Sequence, residues 1–295
     1  MFKQLEKEIL KLRIAIEKET NKDIKRILLE QKKHLERVRR DIGSIYMKYA
    51  DSEGKLVINS LDRFNILREM EKNIINMSRE LIKKTTNITD EALLRSYVDG
   101  YYKTAHIINN GSSVGINYKL LRPEFIESVL RANFEGMTYS DRIWKNTNNL
   151  YSKLYDIIGK GITDGTSIQK LSKEVKNAFG TSSFEAHRLV RNELSRVVSQ
   201  AQDQIYHDSG VVQELMFVAT LDDRISETCQ GLDGNRYKLT DNYPKIPEDT
   251  HIMCRSCYVP IVSGDWNPRT RRDNITKENI PYTKYEDWAE QNNIS

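Results

Sequence analysis

The sequence predicts a mainly α protein that ends in a small α+β module. Three observations carry this reading. From the N-terminus to about residue 208, apolar residues recur at three- and four-residue steps, the period of a helix with one buried face. After Val211 the pattern changes to the two-residue alternation of strands. The three cysteines, Cys229, Cys254 and Cys257, all fall in that last region, with His251 among them. Of 295 residues, 30% are charged and 38% hydrophobic, which suits an elongated or helix-rich protein better than a dense α/β enzyme. The net charge of +4 neither demands nor excludes nucleic acid. No apolar run approaches a membrane span and the first residues are no signal peptide, so the chain is expected in a cytoplasm with reduced thiols.

Four regions are expected. Residues 1–50 form a charged helical arm. Leu5, Ile9, Leu12 and Ile16 step like a coiled-coil seam, and Ile24, Leu28, Leu35, Val38 and Ile42 resume it, with Gln31 in the gap. Thr20-Asn21-Lys22-Asp23 between the runs allows one long helix with a stutter or two antiparallel helices. A lone seam cannot bury itself, so the arm is expected to dock on a partner. Its 14 Lys or Arg against 8 Asp or Glu read either as a DNA-facing surface or as a solvated helix face.

Residues 51–139 form a helical middle. A turn at Asp51–Gly54 precedes a helix capped by Asp62, with Phe64, Leu67, Met70, Ile74, Met77 and Leu81 on one face. A second helix starts at Thr89 or Asp90 and carries Leu93, Leu94, Tyr97, Tyr101 and Ala105, the tyrosines serving helix packing. Asn109-Asn110-Gly111-Ser112-Ser113 is the linker candidate. Pro123 opens a helix to Phe134.

Residues 140–262 begin with a helix capped by Ser140 and ended by Gly159 and Gly161. A short helix follows from Gly165-Thr166-Ser167 to Phe179. Ser182-Ser183-Phe184-Glu185 reads as a capping box opening another helix, which ends at Gly210. Strands are expected at Leu215–Ala219, Arg236–Leu239 and Tyr258–Val262, with turns at Asp233-Gly234 and Pro244–Pro247. Residues 263–295, with Trp266, Tyr282, Tyr285 and Trp288, read as a polar tail that wraps another surface.

As ligands, the cysteines and histidine spell Cys-x21-His-x2-Cys-x2-Cys, the four soft or borderline donors of a tetrahedral zinc site. Zinc held by Cys229, His251, Cys254 and Cys257 would have no open position and would staple a sheet too small to stand alone. Three unrelated reduced thiols, or one disulfide and a spare thiol, are the alternatives.

The residues around this cluster carry a resemblance. Arg191-Asn192-Glu193 lies on the helix before the first strand. Thr220-x-Asp222-x-Arg224 leads to Cys229, then Leu232-Asp233-Gly234, then His251-x-x-Cys254-Arg255. This order resembles the phage head morphogenesis family typified by the phage Mu F protein, over about residues 140–262. The chain departs from the commoner pattern in lacking a second cysteine near Cys229 and in placing Ser256-Cys257 after Arg255. The resemblance implies a non-enzymatic minor head protein of a tailed phage or prophage, packaged in the procapsid near the portal and needed for head assembly or DNA delivery. It implies the portal protein as partner, with scaffold, major capsid protein or phage DNA as further candidates. It also singles out Arg191, Glu193, Asp223, Arg224, Asp233, Gly234 and Arg255, of which Arg191 and Glu193 read as structural clamps first. Some relatives carry a catalytic or toxin domain after this module; only a short tail is expected here.

Enzyme signatures are missing from the sequence. There is no P-loop, Gly-x-Ser-x-Gly or His-Glu-x-x-His. A zinc deaminase pairs His-x-Glu with Pro-Cys-x-x-Cys, but the upstream His34-Leu35-Glu36 is remote and no proline precedes Cys254. Two rivals are kept: a metal-dependent hydrolase using Asp222, Asp223 and His251, and a DNA-binding accessory protein.

Overall fold

The computed structural model of the protein describes residues 5–112, 115–134, 136–262, 268–292 and 294. Among them, five helices come first: α1 (Leu5–Tyr49), α2 (Ser60–Gly111), α3 (Pro123–Leu130), α4 (Tyr139–Asp164) and α5 (Ile168–Asp208). Then come β1 (Glu214–Val218), α6 (Glu227–Leu232), β2 (Arg236–Lys238), β3 (Cys257–Ile261), β4 (Thr270–Arg272), β5 (Asn279–Pro281) and α7 (Tyr285–Gln291). The fold is mainly α with a small antiparallel sheet near the C-terminus, as the sequence predicts. Trp266 and Ser113 lie outside the described residues. The chain forms two compact units. A helical unit comprises Asn21–Glu91 and Asn133–Val190; a C-terminal unit comprises Met1–Thr20, Ala92–Ala132 and Arg191–Ser295.

The helical unit is built by apolar periodicity. Val38, Ile42 and Tyr46 of α1, Met70, Ile74, Met77 and Leu81 of α2, Leu150, Leu154 and Ile158 of α4, and Leu171, Val175 and Phe179 of α5 form one buried cluster. Fully burying each such side chain contributes about 1.5–3 kcal/mol. Gln31, which interrupts the apolar seam, is buried and donates to Ser182 Oγ at 3.4 Å. His34 is buried against Tyr151, Nδ1 to hydroxyl 2.7 Å.

Several expected boundaries move in this unit. Thr138, not Ser140, caps α4, in a capping box with Asp141. α4 runs through Gly159 and Gly161 to a left-handed Gly165 (φ +65°). Gly161 sits inside the helix because a Cβ there would lie 2.9 Å from Leu171 Cδ1. Ser182–Glu185 does not open a helix, since α5 passes through it unbroken. Ser182 is engaged by Gln31, and Glu185 pairs with Arg188 at 2.8 Å one turn on.

In the C-terminal unit, Leu5, Ile9, Leu12 and Ile16 are buried within the chain, Leu12 and Ile16 beside Val198 of α5. The seam expected to seek a partner is therefore already covered. At the suspected break, Thr20 donates its hydroxyl to the Ile16 carbonyl at 2.9 Å and α1 continues. The two helices expected in the middle region are one, α2, which ends at Gly111 in the linker candidate. Tyr97 and Tyr101 are buried, and Tyr101 bonds Asp208 at 2.8 Å, a packing role as expected.

The sheet has the order β2-β1-β3, antiparallel throughout. Met216 and Val218 of β1 share one face with Val259 and Ile261 of β3. Phe217 faces the other way, packing with Cys229, Ile246, Cys254 and Tyr258. The C-terminal residues are not a loose tail. β4 and β5 form a hairpin, and Tyr285 and Trp288 of α7 are buried with Leu221.

Candidate metal centre

The site grows from the end of β1. Asp222, the next turn on, is buried and accepts both Arg255 guanidinium nitrogens, Nη2 at 2.9 Å. Burial pushes this carboxyl up, but the Arg255 bonds and the Arg224 backbone N–H outweigh it and hold the carboxyl below its ordinary range. The pair ties the turn after β1 to the residue that follows Cys254. Asp223 and Arg224, singled out by resemblance, are instead exposed.

Ser226 then caps the short helix α6, its Oγ accepting from the Cys229 N–H at 3.2 Å. This turns the Cys229 thiol inward, fully buried. Cys254 arrives from the other side on a tight turn closed by its N–H to the His251 carbonyl at 3.1 Å. Met253 in that turn takes a left-handed φ of +64°. Two side chains of α5 hold it there. Asn192 Oδ1 accepts from Met253 N–H at 3.2 Å, and Ser195 Oγ donates to the Cys254 carbonyl at 3.0 Å.

The residues flagged on this helix do other work. Arg191 pairs with Glu17 of α1. Glu193 pairs with Arg196 at 2.9 Å, both 1% exposed, and Arg196 also donates to the Val129 and Leu130 carbonyls at 3.0 and 3.2 Å. Asn192 and Ser195 were legible only as an i, i+3 pair of short polar residues on one helix face.

Cys229 Sγ and Cys254 Sγ lie 3.6 Å apart as free thiols, and the donor atoms of Cys229, His251 and Cys254 all fall within 4.8 Å of one another. Two thiolates on one tetrahedral zinc, each at about 2.3 Å, stand about 3.8 Å apart, so the pair already has metal-site spacing. A disulfide would need about 2.05 Å. The electrostatics suit a thiolate. The Cys229 thiol donates to Cys254, which holds the Cys254 thiol far below its ordinary value, against burial and with help from His251 and Thr250. The same shared proton, with burial, pushes Cys229 up. The Cys254 thiolate in turn raises His251. With Nδ1–H donated to the Ile252 carbonyl at 3.0 Å, His251 keeps Nε2 as its donor nitrogen. These three residues could hold a metal ion.

Cys257 does not join them. It opens β3 opposite Val218, on the sheet face of Val259, whereas Cys229 and Cys254 pack on the face of Phe217 and Tyr258. The two-residue period of the strand separates it from the knuckle that its spacing suggested. It is buried, and burial pushes its thiol up to about 11. The expected four-donor set is thus corrected to three protein donors.

A second polar centre fixes the module. Asp233 Oδ1 accepts from Ala219 N–H at 2.9 Å and Arg271 Nη2 at 2.8 Å; Oδ2 accepts from Arg271 Nη1 at 2.7 Å and Tyr285 N–H at 2.8 Å. Arg271 also donates to the Ala219 and Thr283 carbonyls. Gly234 beside it has φ +77°, and a Cβ there would meet the Tyr282 hydroxyl at 3.1 Å. Asp233 and Gly234 are among the residues that the resemblance singles out. Arg271, lying in the supposed tail, is not.

Residues 152–259 match the family described as Phage Mu protein F like protein. The match runs from within α4 into β3 and includes all three candidate ligands. A curated protein of Enterococcus faecalis, named NAD(+)--arginine ADP-ribosyltransferase EFV, is 23% identical over 205 residues, which is 64% of this chain and 42% of that protein. The chain therefore spans less than half the length of that relative. No solved structure matches it. No described helix is long and apolar enough to cross a membrane.

Proposed function

We propose, from a chain whose residues 152–259 are of the Phage Mu F-like family, a minor head protein of a tailed bacteriophage or prophage. It is packaged in the procapsid beside the portal and acts in head assembly or DNA delivery. One observation carries the reading: the family match spans the whole Cys/His knuckle and the α5 helix that holds it. Zinc is the metal we assign to Cys229, His251 and Cys254, because two thiolates and an imidazole are its preferred donors. Its work in this reading is to clamp α6 to the turn before β3. The chemistry it supplies is that of a neutral staple for two buried thiolates.

The test is co-purification of the full chain with the portal protein of the same phage genome at moderate salt. Co-elution in a fixed ratio supports the reading, and clean separation overturns it. Deleting residues 1–50 is a poor test of an arm, since both halves of α1 are packed within the units that contain them.

A second reading follows from the name of the Enterococcus faecalis relative, transfer of ADP-ribose from NAD+ to arginine. Incubating the chain with labelled NAD+ and an arginine-rich acceptor tests it; label on the acceptor would favour an enzyme. The hydrolase reading is weakened by Asp222, whose carboxylate is committed to Arg255.

A further inference from the structure

An open cleft of about 280 Å³ lies within the C-terminal unit, between the start of α1, the middle of α5 and the β4–β5 hairpin. Its lining holds seven cationic side chains and two carboxylates. Both carboxylates are already used, Glu17 by Arg191 and Asp222 by Arg255. A third cation, Arg271, is committed to Asp233, and its Nε is buried with no acceptor.

Among the described residues Arg13, Arg272 and Lys277 make no ion pair, and a fourth cation, Arg224, makes only long, solvent-exposed ones. Arg13 donates only to neutral groups, Ser199 Oγ at 3.3 Å, Gln202 Oε1 at 3.4 Å and the Ser256 carbonyl at 3.2 Å. Arg224 is 76% exposed, with its nearest carboxylates, Asp222 and Asp223, both at 3.9 Å. Arg272 makes no ion pair among the described residues. Lys277 donates to the Asn274 carbonyl and sits at a left-handed φ of +68° in the hairpin turn, where a side chain is disfavoured. Like charges gathered around one concave surface repel one another unless an anion sits among them. Guanidinium forks match phosphate oxygens in pairs, and a lysine adds a compact point charge.

We propose that this cleft binds a phosphate-class polyanion, a pyrophosphate or phosphodiester group presented by a free nucleotide or by single-stranded nucleic acid. Three unpaired cations and the loosely paired, exposed Arg224 call for several negative charges, more than one carboxylate brings. The volume admits a nucleotide-sized group and not a duplex. The site is independent of the minor-head reading.

The test is calorimetric titration of the full chain at low salt with two probes: inorganic pyrophosphate, and a short single-stranded oligodeoxynucleotide without terminal phosphates. Binding of either probe, weakened at least tenfold in the triple variant Arg224→Gln/Arg272→Gln/Lys277→Gln and unchanged in Lys170→Gln, supports the site. Which probe binds identifies the source of the phosphate. Should the triple variant melt early, the exposed single variants Arg224→Gln and Lys277→Gln serve instead, each expected to weaken binding about threefold, and addition of salt to weaken it in wild type. The proposal is overturned if neither probe binds, if the variants bind as wild type does, or if only an acidic polypeptide such as polyglutamate binds.

Discussion

The two compact units are held together by different means. The helical unit buries a long cluster of Leu, Ile, Val, Met and Phe contributed by four helices, and its buried polar contacts, such as Gln31–Ser182 and His34–Tyr151, join neutral groups. The C-terminal unit also buries apolar residues, among them Ile9, Leu93, Val197 and Ile205, and adds buried polar centres: Asp233–Arg271, Glu193–Arg196, Asp222–Arg255 and the Cys229–His251–Cys254 group. Dispersed apolar packing tolerates one loss by partial collapse. A buried ion pair does not, because the partner left behind is a desolvated charge.

Substitutions in each unit test this. Arg271→Ala leaves Asp233 buried and removes the bonds tying β4 to Ala219 and Thr283; it is expected to cost about 3–5 kcal/mol, read by urea denaturation. Leu154→Ala, fully buried in the helical unit, is expected to cost about 2–5 kcal/mol with no loss of the metal site. A drop of under 1 kcal/mol for Arg271→Ala would erase the contrast.

Acid–base behaviour separates the units more gently. Burial pushes Glu6, in the C-terminal unit, up to about 7, and the nearby positive Arg271 does not offset it. Its folded form holds a proton more tightly than the unfolded chain. The contribution of Glu6 to stability is therefore full below the ordinary glutamate range and is lost as pH rises through about 7, by on the order of 3 kcal/mol. Glu6→Gln should flatten that slope in melting curves taken from pH 5 to 8. His34, in the helical unit, has the opposite sign. Burial lowers its pKa, so its contribution is full above the ordinary histidine range and is lost as pH falls through that range. His34→Gln should remove this smaller acid-side loss, seen as a melting temperature less sensitive to pH between 7 and 5.

The same division governs what could be read from the sequence. Apolar periodicity announced the helical unit residue by residue, from Val38 and Ile42 to Leu171 and Val175, and the alternation at Leu215–Ala219 announced β1. Boundaries failed where a tertiary partner overrode a local signal. Ser182 looks like a cap but is taken by Gln31, and Gly161 looks like a stop but makes room for Leu171. Polar centres were legible in part. Spacing found Cys229, His251 and Cys254 yet included Cys257, because Cys-x2-Cys does not reveal that a strand begins at the last residue. Arg271 was missed because three-residue strands such as β4 and β5 have too few positions to show a period.

Three donors, not four, come together in the C-terminal unit as a candidate metal site. The most direct measurement is metal content per chain by mass spectrometry for wild type, Cys254→Ser and Cys257→Ser, each purified with zinc and dialysed. About one zinc per chain is expected in wild type and in Cys257→Ser, and none held by Cys254→Ser. Loss of zinc from Cys257→Ser, or a wild-type chain that retains none, would contradict it.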